Sequence, residues 1–369
     1  MIDDNQPDPL ADLRTRIDSV DDKLVRLLNE RAEISLAVGR IKADSDEQVF
    51  KPFREHELIE KLTGRNVGPL PERHLRAIYR EILSSSRRLQ RPERVVYLGP
   101  LGTFSYFAAI AHLGRSAELD PRANFTEIFQ AVADGDAELG IVPIENSVQG
   151  TVVQVVDLFM QFPVYIQAEL YHRVSHGLMS RCSDLSEVTE IYSHQQPLEQ
   201  CRGWLHSHFP KTPRRGVGST AEAAQIVADG PKTAACIGNI RLAKMFGLNV
   251  LAERIEDFPD NWTRFLVIGP QPPAGNGNRD KTSILFTASD SPGSLASVLN
   301  TLAGRGINMT KLESRPFKGE KWKYVFFADL DCDLTAEDYQ ALLDDLRRQC
   351  QTLRVLGSYP AGNQNASEG

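Results

Sequence analysis

An uninterrupted helical pattern near the start of the chain restricts the fold more than any other feature. Between Leu13 and Ile41, apolar residues recur at close to the 3.6-residue helical period, at positions 17, 20, 24, 27, 28, 34, 38 and 41. A small helical domain cannot cover an apolar stripe of this length with its own remaining residues. The pattern therefore predicts that the first helix packs against a second copy of the chain.

Two shorter helical segments complete the first part of the chain. One begins near Pro52, a residue suited to a first helical turn, and the other carries Leu75, Ile78, Ile82 and Leu83. Strand-like alternation is almost absent up to about residue 90. We therefore expect residues 1–92 to form an all-α dimerisation domain.

Short apolar runs alternate with helical patterns in the central part of the chain. This alternation is typical of an α/β domain with a largely parallel sheet, which we assign to residues 93–270. A helix is expected at Gln195–Phe209, another after the capping box Ser219-x-x-Glu222, and a crossing between two lobes at Val164–Met179. The predicted strands are Val95–Leu98, Leu139–Ile144, Val188–Tyr192, Thr233–Ile237 and Phe265–Ile268.

A Pro-, Gly- and Asn-rich segment, residues 271–281, predicts a linker before the last domain. Residues 282–360 then have the order βαββαβ of a ferredoxin-like α+β domain, and residues 361–369 form a tail. The predicted helices are Gly293–Ala303 and Ala336–Cys350, and the predicted strands are Thr282–Ala288, Asn308–Pro316, Tyr324–Leu330 and Arg354–Ser358.

The overall charge excludes several classes of function. The 369 residues carry a net charge of −7, which argues against nucleic acid as a partner. No segment offers the roughly 20 apolar residues that a membrane span needs, and the acidic start lacks a secretory pattern, so we expect a cytoplasmic protein.

Cysteine and histidine spacing gives no consistent metal-ligand set. The five cysteines are far apart and contain no CxxC pair. His206 and His208 form an HxH near Cys201, and His172 and His176 are four residues apart. These spacings do not converge on one site, so we expect neither a metal nor a cofactor.

Polar residues interrupt the apolar stripes of the N-terminal helices. Arg31 takes a core position of the first helix, Lys42 lies about 20° around the helix from it, and Arg14 points about 100° away. Ser86 and Gln90 continue the stripe of the third helix. Long basic stems can also snorkel to solvent. Taken together, however, these groups favour a site for a small dicarboxylate.

Two stretches of sequence resemble a known family. The run LRTRIDSVDDKLVRLLNERAEISLAVGRIK, followed by FKPFREHEL, is similar to the all-helical chorismate mutase domain of bifunctional chorismate mutase–prephenate dehydratase proteins. The resemblance implies an intertwined dimer in which the two carboxylates and the ether oxygen of chorismate contact Arg31, Arg54 and Lys42, together with Arg14 of the partner chain.

The same resemblance assigns the remaining positions of this pocket. Glu55 would contact the ring hydroxyl, and Ser86 and Gln90 would complete the site, with Lys42 and Gln90 stabilising charge on the ether oxygen. Lys51 stands where some family members have an acidic residue that assists at the hydroxyl, although related sequences carry a basic residue before this proline. If the main chain makes that contact, the change does not affect it.

Four polar loops lie at the edges of predicted strands of the central domain. They read GPLGTFS at 99–105, PIENSVQG at 143–150, YSHQQ at 192–196 and NWTRF at 261–265. Loops at strand ends are where α/β domains bind ligands, although each loop alone is equally consistent with a helix cap or a polar turn. In this order the loops resemble the prephenate dehydratase motifs GPxGTFS, PxENS, SHPQ and TRF, with Gln195 in place of proline.

The dehydratase resemblance implies a two-lobed fold like a periplasmic binding protein, with the active site in the cleft. Thr263 would be the essential hydroxyl that assists loss of the ring hydroxyl as prephenate becomes phenylpyruvate. Glu145 is the only carboxylate in the four motifs and would orient a backbone or move protons. The residues implied to bind substrate are Thr103, Ser105, Asn146, Ser147, Ser193, Gln196, Arg264 and Phe265.

The last domain resembles the ACT domain that ends these enzymes, on the motifs SPGSLASVL at 291–299 and LESRPF at 312–317. The resemblance implies that phenylalanine binds at a dimer interface, and a plain ferredoxin-like domain is the alternative. The implied ligand-binding residues are Gly293, Leu295, Glu313, Ser314 and Arg315.

Together these resemblances imply a bifunctional enzyme of L-phenylalanine biosynthesis that is inhibited by its end product. Its partners would be chorismate, prephenate, L-phenylalanine and further copies of itself. Two alternatives remain open: a non-catalytic amino-acid sensor built on the ACT domain, and a dehydratase that also accepts arogenate.

Overall fold

A computed structural model describes residues 9–42, 50–273, 279–289, 291–316 and 324–362. The N-terminal domain contains three helices, as predicted: α1 (Pro9–Lys42), α2 (Pro52–Gly64) and α3 (Glu72–Gln90). Pro52 opens α2 because its missing N–H is not needed in a first turn. Helix α1 carries Asp12 in its first turn and Lys42 in its last, which suits the helix dipole.

Most of the apolar stripe of α1 is uncovered in the single chain. The end of α1 packs tightly on the end of α3, where a Cβ added to Gly39 would lie 2.8 Å from the Cα of Gln90. The exposed apolar residues of α1 are Leu10, Leu13, Ile17, Val20, Leu24, Val25, Leu27, Leu28, Ile34, Leu36 and Ile41.

The central domain has two lobes, each built on a mixed sheet. The first sheet has the order β2-β1-β3-β11-β5, with β4 paired to β3, and the second has the order β10-β6-β9-β7-β8. The strands are β1 (Arg94–Leu98), β2 (Glu118–Arg122), β3 (Leu139–Asn146), β4 (Gly150–Thr151), β5 (Tyr165–Arg173), β6 (Gly177–Ser180), β7 (Glu190–Ser193), β8 (Arg214–Gly216), β9 (Ala234–Gly238), β10 (Asn249–Ala252) and β11 (Trp262–Gly269).

Seven helices cover these two sheets. Half of the predicted capping box is present, because the Ser219 side chain accepts a hydrogen bond from the Glu222 N–H at 3.0 Å, whereas the Glu222 carboxylate accepts from the Gly218 N–H at 2.8 Å. The predicted helix at Gln195–Phe209 is divided at Cys201. The helices are α4 (Phe104–Leu113), α5 (Phe125–Ala133), α6 (Val153–Gln161), α7 (Gln195–Gln200), α8 (Arg202–His208), α9 (Thr220–Asp229) and α10 (Arg241–Phe246).

The prediction of a largely parallel sheet is wrong in part. Strands β1, β2 and β3 are parallel, but β11 runs antiparallel to both β3 and β5. A strand buried on both faces reads as a continuous apolar run in either direction, so its sequence does not reveal its orientation. The predicted crossing between lobes is correct, since β5 belongs to the first sheet and β6 to the second.

The last domain has the predicted βαββαβ order, with an antiparallel sheet of order β13-β14-β12-β15. One face of this sheet packs on its own helices, and side chains such as Leu285 and Phe327 from the other face join the core of the first lobe. Its elements are β12 (Lys281–Ala288), α11 (Ser294–Ala303), β13 (Met309–Pro316), β14 (Tyr324–Leu330), α12 (Gln340–Gln349) and β15 (Cys350–Tyr359).

Parts of three predicted segments lie outside the described residues: 274–278 of the linker, Phe317 of the LESRPF motif and 363–369 of the tail. Lys281, which was expected to end the linker, instead begins β12 and is buried. In the described part of the chain, no helix is long and apolar enough to cross a membrane.

Candidate active sites

The three N-terminal helices enclose a cavity of about 230 Å³. It lies on the side of α1 that faces α2 and α3, and its apolar walls include Val38, Leu58 and Leu83. The predicted site residues that line it are Arg31, Lys42, Lys51, Arg54, Glu55, Ser86 and Gln90. Residues that are distant in sequence thus converge on one small space, as the interrupted apolar stripes indicated.

Hydrogen bonds orient the polar groups on α1 and α3. The Arg31 guanidinium donates to the hydroxyl of Ser86, which in turn donates to the carbonyl of Ile82 at 2.8 Å. The Gln90 side-chain amide donates to the Ser86 carbonyl at 3.3 Å. The Arg31 side chain therefore crosses the interface between α1 and α3 and does not extend along α1 to solvent.

Arg14 is the one predicted residue of this site that lies elsewhere. It is exposed on α1, and the 17 residues that separate it from Arg31 correspond to about 25 Å of helix. An arginine side chain cannot bridge that distance, so Arg14 cannot reach the cavity of its own chain.

The sequence prediction omitted Arg87, which also lines the cavity. Its Nη1 lies 2.5 Å from both carboxylate oxygens of Glu55, and its Nε lies 3.2 Å from Glu93. A signal was present, since Arg87 follows Leu83 by four residues on the apolar stripe of α3. Arg87 fixes the orientation of Glu55 and also reaches the central domain, where its Nη2 donates to the carbonyl of Leu113.

The pKa values of Arg87 and Glu93 respond differently to their buried surroundings. Burial alone would lower the pKa of Arg87, but the charges of Glu55 and Glu93 outweigh it and raise that pKa. Burial raises the pKa of Glu93 to about 7, even though Arg87 opposes the shift. Arg87 is shared with the closer Glu55, so Glu93 receives too little compensation for its lost hydration.

The cavity has a strong excess of positive charge. Among the described residues, its lining includes the cations Arg31, Lys42, Lys51, Arg54 and Arg87 and a single carboxylate, Glu55. Such an excess in a small space suits a doubly negative ligand, and the guanidinium groups can bind carboxylates in a bidentate manner.

A second cavity, of about 490 Å³, lies in the cleft between the lobes of the central domain. The first lobe contributes residues of β3, β11 and the start of α4, and the second contributes the starts of α7 and α9. The predicted residues that line this cavity are Thr103, Ser105, Asn146, Gln196, Thr263 and Phe265.

The lining of the cleft cavity contains no Asp, Glu, Lys or Arg among the described residues. The starts of two helices line the cavity instead. Thr103 caps α4 by accepting from the Tyr106 N–H at 3.3 Å, and Ser219 caps α9. Residues Ser105 and Thr220, in the first turns of these helices, also line the cavity. Backbone N–H groups at helix starts bind anions without a cationic side chain.

Thr263 is fixed within the cleft by Asn146. The Asn146 Nδ2 donates to the Thr263 hydroxyl oxygen at 3.0 Å and to Asn261 at 2.7 Å. The two strands pair directly at these positions. Because the Thr263 oxygen accepts this bond, its own proton remains available to a group in the cavity.

His176 and Gln200 also line the cleft cavity, and the sequence prediction did not include them. The His176 Nε2 lies 2.8 Å from Gln200 Oε1, while His176 Nδ1 and Gln200 Nε2 are buried without a partner in the described part of the molecule. Burial lowers the pKa of His176, so its ring is neutral near pH 7. No signal in the motifs identified this pair.

Four predicted residues of the dehydratase motifs do not line the cleft cavity. Ser147 contacts the backbone of Trp262, and Ser193 donates to the carbonyl of Ile237 at 2.8 Å. Glu145 forms an ion pair with Lys311 at 2.9 Å. Arg264 is buried against the last domain. In this structure the side chains of Ser147, Ser193 and Arg264 contact the walls of the cleft, and their contact with substrate stays a prediction.

Residues predicted to bind phenylalanine occupy two parts of the last domain. Gly293 precedes α11 with a left-handed φ of 84°, and Leu295 packs partly on the domain core. On β13, Glu313 accepts from Thr151 at 3.0 Å, Arg315 contacts Asp157 at 3.2 Å, and Ser314 is exposed. Two of these side chains thus face the central domain, because successive residues of a strand point to opposite sides.

In the described residues, no group of three or more His, Cys, Asp or Glu side chains could hold a metal ion. The two cavities, the two-lobed α/β domain and the ferredoxin-like domain define a multidomain enzyme class in which a helical domain and a cleft domain each bind a small anionic substrate. Family models match these parts in turn: chorismate mutase type II at residues 13–91, prephenate dehydratase at 95–273 and the ACT domain at 282–350.

The chain belongs to the family of bifunctional chorismate mutase/prephenate dehydratase enzymes. It is 40% identical over 366 residues to the bifunctional chorismate mutase/prephenate dehydratase of Stutzerimonas stutzeri, which covers 96% of this chain and 99% of the relative. The chain therefore combines an isomerase and a lyase.

Two solved structures share the architecture of the last two domains. Prephenate dehydratase from Arthrobacter aurescens in complex with L-Phe matches 75% of this chain and 92% of its own, with 31% identity and a TM-score of 0.68. A protein described as a novel type of quorum quenching acylase matches 73% of this chain and 98% of its own, with 29% identity and a TM-score of 0.66. Because this fold hosts more than one chemistry, the residue roles must be argued from the sites.

Proposed function

We propose that this chain converts chorismate to prephenate in the helical cavity and prephenate to phenylpyruvate in the cleft. The observation that carries this proposal is that one chain holds two separate cavities of different chemistry. The first is rich in cations and the second is lined by hydroxyls, amides and helix starts. We assign the first reaction to residues 1–92, the second to 93–270 and regulation to 282–360.

The first reaction is a unimolecular rearrangement, so it needs no nucleophile. Its rate depends on holding the reactive conformer and stabilising negative charge on the ether oxygen. We assign the substrate carboxylates to Arg31 and Arg54 and the ether oxygen to Lys42 and Gln90. Glu55, oriented by Arg87, is suited to accept a hydrogen bond from the ring hydroxyl.

A second copy of the chain completes this site. The exposed apolar stripe of α1 is what a helical dimer interface would bury. Arg14 is too far from the cavity of its own chain, and a partner helix lying along α1 would bring its Arg14 to that cavity. We therefore propose a homodimer with an Arg14 donated to each site by the opposite chain.

In the second reaction, the ring of prephenate loses carbon dioxide and a hydroxyl group. The electrons of the breaking carbon–carboxylate bond enter the ring, the ring becomes aromatic, and the hydroxyl leaves with its electron pair. Thr263 donates a hydrogen bond to this leaving oxygen, while Asn146 holds the Thr263 oxygen from the other side. The starts of α4 and α9 are suited to bind the substrate carboxylates.

The last domain is proposed to bind L-phenylalanine and to lower the dehydratase rate. Gly293, Leu295 and the motif at Glu313, Ser314 and Arg315 are the assigned ligand-binding residues. Support comes from β13, where Glu313 contacts Thr151, a residue that lines the cleft cavity. A ligand that binds one arrangement of β13 more tightly than another would shift the equilibrium between the corresponding arrangements of the cleft.

Purified protein incubated with chorismate tests these assignments. We expect chorismate absorbance to fall and phenylpyruvate to accumulate, with L-phenylalanine inhibiting the second step. Phenylalanine binding without any chorismate turnover would instead indicate an amino-acid sensor. A parallel incubation with arogenate shows whether the cleft also accepts the aminated substrate.

A further inference from the structure

Strand β11 carries neighbouring side chains into two different environments. Thr263 and Phe265 line the cleft cavity, whereas Arg264 between them is buried against the ACT domain. The Arg264 Nε lies 2.7 Å from Glu169 on β5 of the same lobe, and its Nη1 lies 2.5 Å from Asp329 on β14 of the ACT domain. The residue next to the proposed hydrogen-bond donor is thus held by carboxylates from two domains.

Further ACT-domain groups complete this buried network. The Arg264 Nη2 donates to the Tyr359 hydroxyl at 3.2 Å. The Ser283 hydroxyl lies 2.6 Å from Tyr359 and donates to Asp329 at 2.5 Å. On the other side, Lys281 donates to Glu169 at 2.8 Å. Each side chain of this network therefore has at least one hydrogen-bond or ionic partner within it.

The charges of this network balance. Arg264 and Lys281 carry positive charge, Glu169 and Asp329 carry negative charge, and all four residues are buried. Burial alone would lower the pKa of Arg264, but the charges of the Asp329 and Glu169 carboxylates outweigh it and raise that pKa. Burial also raises the pKa of Tyr359, so its hydroxyl stays protonated. Removing one carboxylate would leave a buried guanidinium undercompensated, which is costly.

The pairing of β11 with β3 is irregular beside Arg264. The register shifts between Arg264 and Phe265, one residue beyond Thr263, whereas the pairing of β11 with β5 continues without a shift from Trp262 to Val267. A bulge of this kind re-aims neighbouring side chains, so side-chain contacts as well as strand pairing set the direction of Thr263. The Arg264 side chain supplies a second anchor at this position.

We propose that Asp329 and Tyr359 of the ACT domain are positioning residues for the dehydratase reaction. Acting through Arg264, they hold β11 so that the Thr263 hydroxyl is directed at the leaving group. This inference rests on the role proposed above for Thr263. It means that the domain assigned to regulation also supplies part of the support for the catalytic strand.

The test is Asp329→Asn in the full-length chain, with both activities measured on one preparation. The substitution keeps the size of the side chain and one hydrogen-bond acceptor, but it removes the negative charge that faces Arg264. We expect the dehydratase kcat to fall about tenfold or more, because misplacement of about 1 Å can cost up to 10²-fold, while KM changes less than about twofold. The mutase kcat should not change, since Asp329 has no contact with the helical domain in the described residues.

Asp333→Asn is the matched control. It makes the same chemical change in the same domain, and its cationic partner, Arg279, lies 3.8 Å away, over the ring of Phe53 on α2. We expect this variant to keep both rates. Tyr359→Phe is a milder second variant, expected to lower the dehydratase kcat several-fold; if Asp329→Asn does not fold, the result with Tyr359→Phe decides.

Combining Asp329→Asn with Arg264→Gln tests whether Asp329 acts through Arg264. If it does, Asp329→Asn causes little further loss once Arg264 is replaced. Wild-type dehydratase kcat in Asp329→Asn and Tyr359→Phe, or losses that simply multiply in the double variant, would overturn the proposal. Failure of the proposed function is distinguishable, because the unmodified chain would then fail to convert prephenate at all.

Discussion

Asn146 donates a hydrogen bond to the hydroxyl of Thr263 at 3.0 Å, although 117 positions separate the two residues in the chain. The pairing of β3 with the antiparallel β11 creates this contact. It joins the PIENS and TRF motifs into one unit, in which the amide holds the oxygen and leaves the hydroxyl proton free for the substrate.

Replacing Thr263 should impair the second reaction selectively. We expect Thr263→Ala to lower the dehydratase kcat about 10²- to 10³-fold, the usual effect of removing one hydrogen-bond donor to a developing negative charge. Thr263→Ser keeps the hydroxyl and should retain much of the rate. Phenylpyruvate formation from prephenate measures the loss, and mutase activity on the same chain is the control. Near-normal dehydratase rates in Thr263→Ala would contradict the assignment.

Lys42→Ala should abolish the first reaction. The lysine lines the cation-rich cavity and is assigned to the ether oxygen, where charge develops, so we expect at least a 10²-fold loss of mutase kcat with dehydratase kcat retained. Lys61→Ala is the matched control, because Lys61 is an exposed cation of α2 outside the cavity. Retention of most mutase activity in Lys42→Ala would rule out this role.

The shared active site can be tested by complementation. Arg14→Ala and Lys42→Ala should each inactivate the mutase, yet a heterodimer of the two variants carries both defects in one site and none in the other. Co-expression with two different affinity tags, followed by sequential purification, should recover up to about half of the wild-type mutase rate. If each site were built from one chain, no activity would return.

Stability should depend on pH through Glu93. The folded pKa is about 7, above the ordinary value of 4.5, so the folded state binds this proton more tightly. The associated stability is fully present below about pH 4.5 and is lost as pH rises through 7, by roughly 3 kcal/mol at most. Glu93→Gln should be more stable than wild type at pH 8 and similar at pH 5 in thermal unfolding. Parallel pH curves would show that Glu93 does not titrate as described.

Lys311→Met should weaken the communication between the ACT domain and the cleft. The lysine on β13 pairs with Glu145 at 2.9 Å and donates to Thr151 at 2.8 Å. Methionine keeps the length of the side chain but loses both contacts. We expect the L-phenylalanine concentration needed for half inhibition to rise several-fold, with basal dehydratase kcat within about twofold of wild type. An unchanged inhibition curve would count against this route.

The sequence predicted the helical cavity better than the cleft. In the helical domain, periodicity places Arg31, Ser86 and Gln90 on apolar stripes, so the inward direction of each side chain can be read from spacing. Arg87 follows the same rule and could have been found. In the cleft, neighbouring residues of a strand point to opposite sides, and a motif of three letters does not say which side faces the substrate.

Arg264 illustrates this limit. It belongs to the same motif as Thr263 and Phe265, yet its guanidinium meets Asp329, which lies 65 positions away in another domain. His176 and Gln200 were missed for a related reason, because no local pattern predicts a contact between the residue before β6 and the last residue of α7.

Local periodicity and capping were enough to predict the three domains, most of their helices and strands, and the long apolar stripe of α1. Three features are visible only in the folded chain: β11 runs antiparallel to its neighbours, Arg264 turns to the ACT domain, and Arg87 links the two catalytic domains. These features depend on pairing and burial between distant segments, where the balance between the cost of burying charge and the gain from matched partners is set by the whole fold.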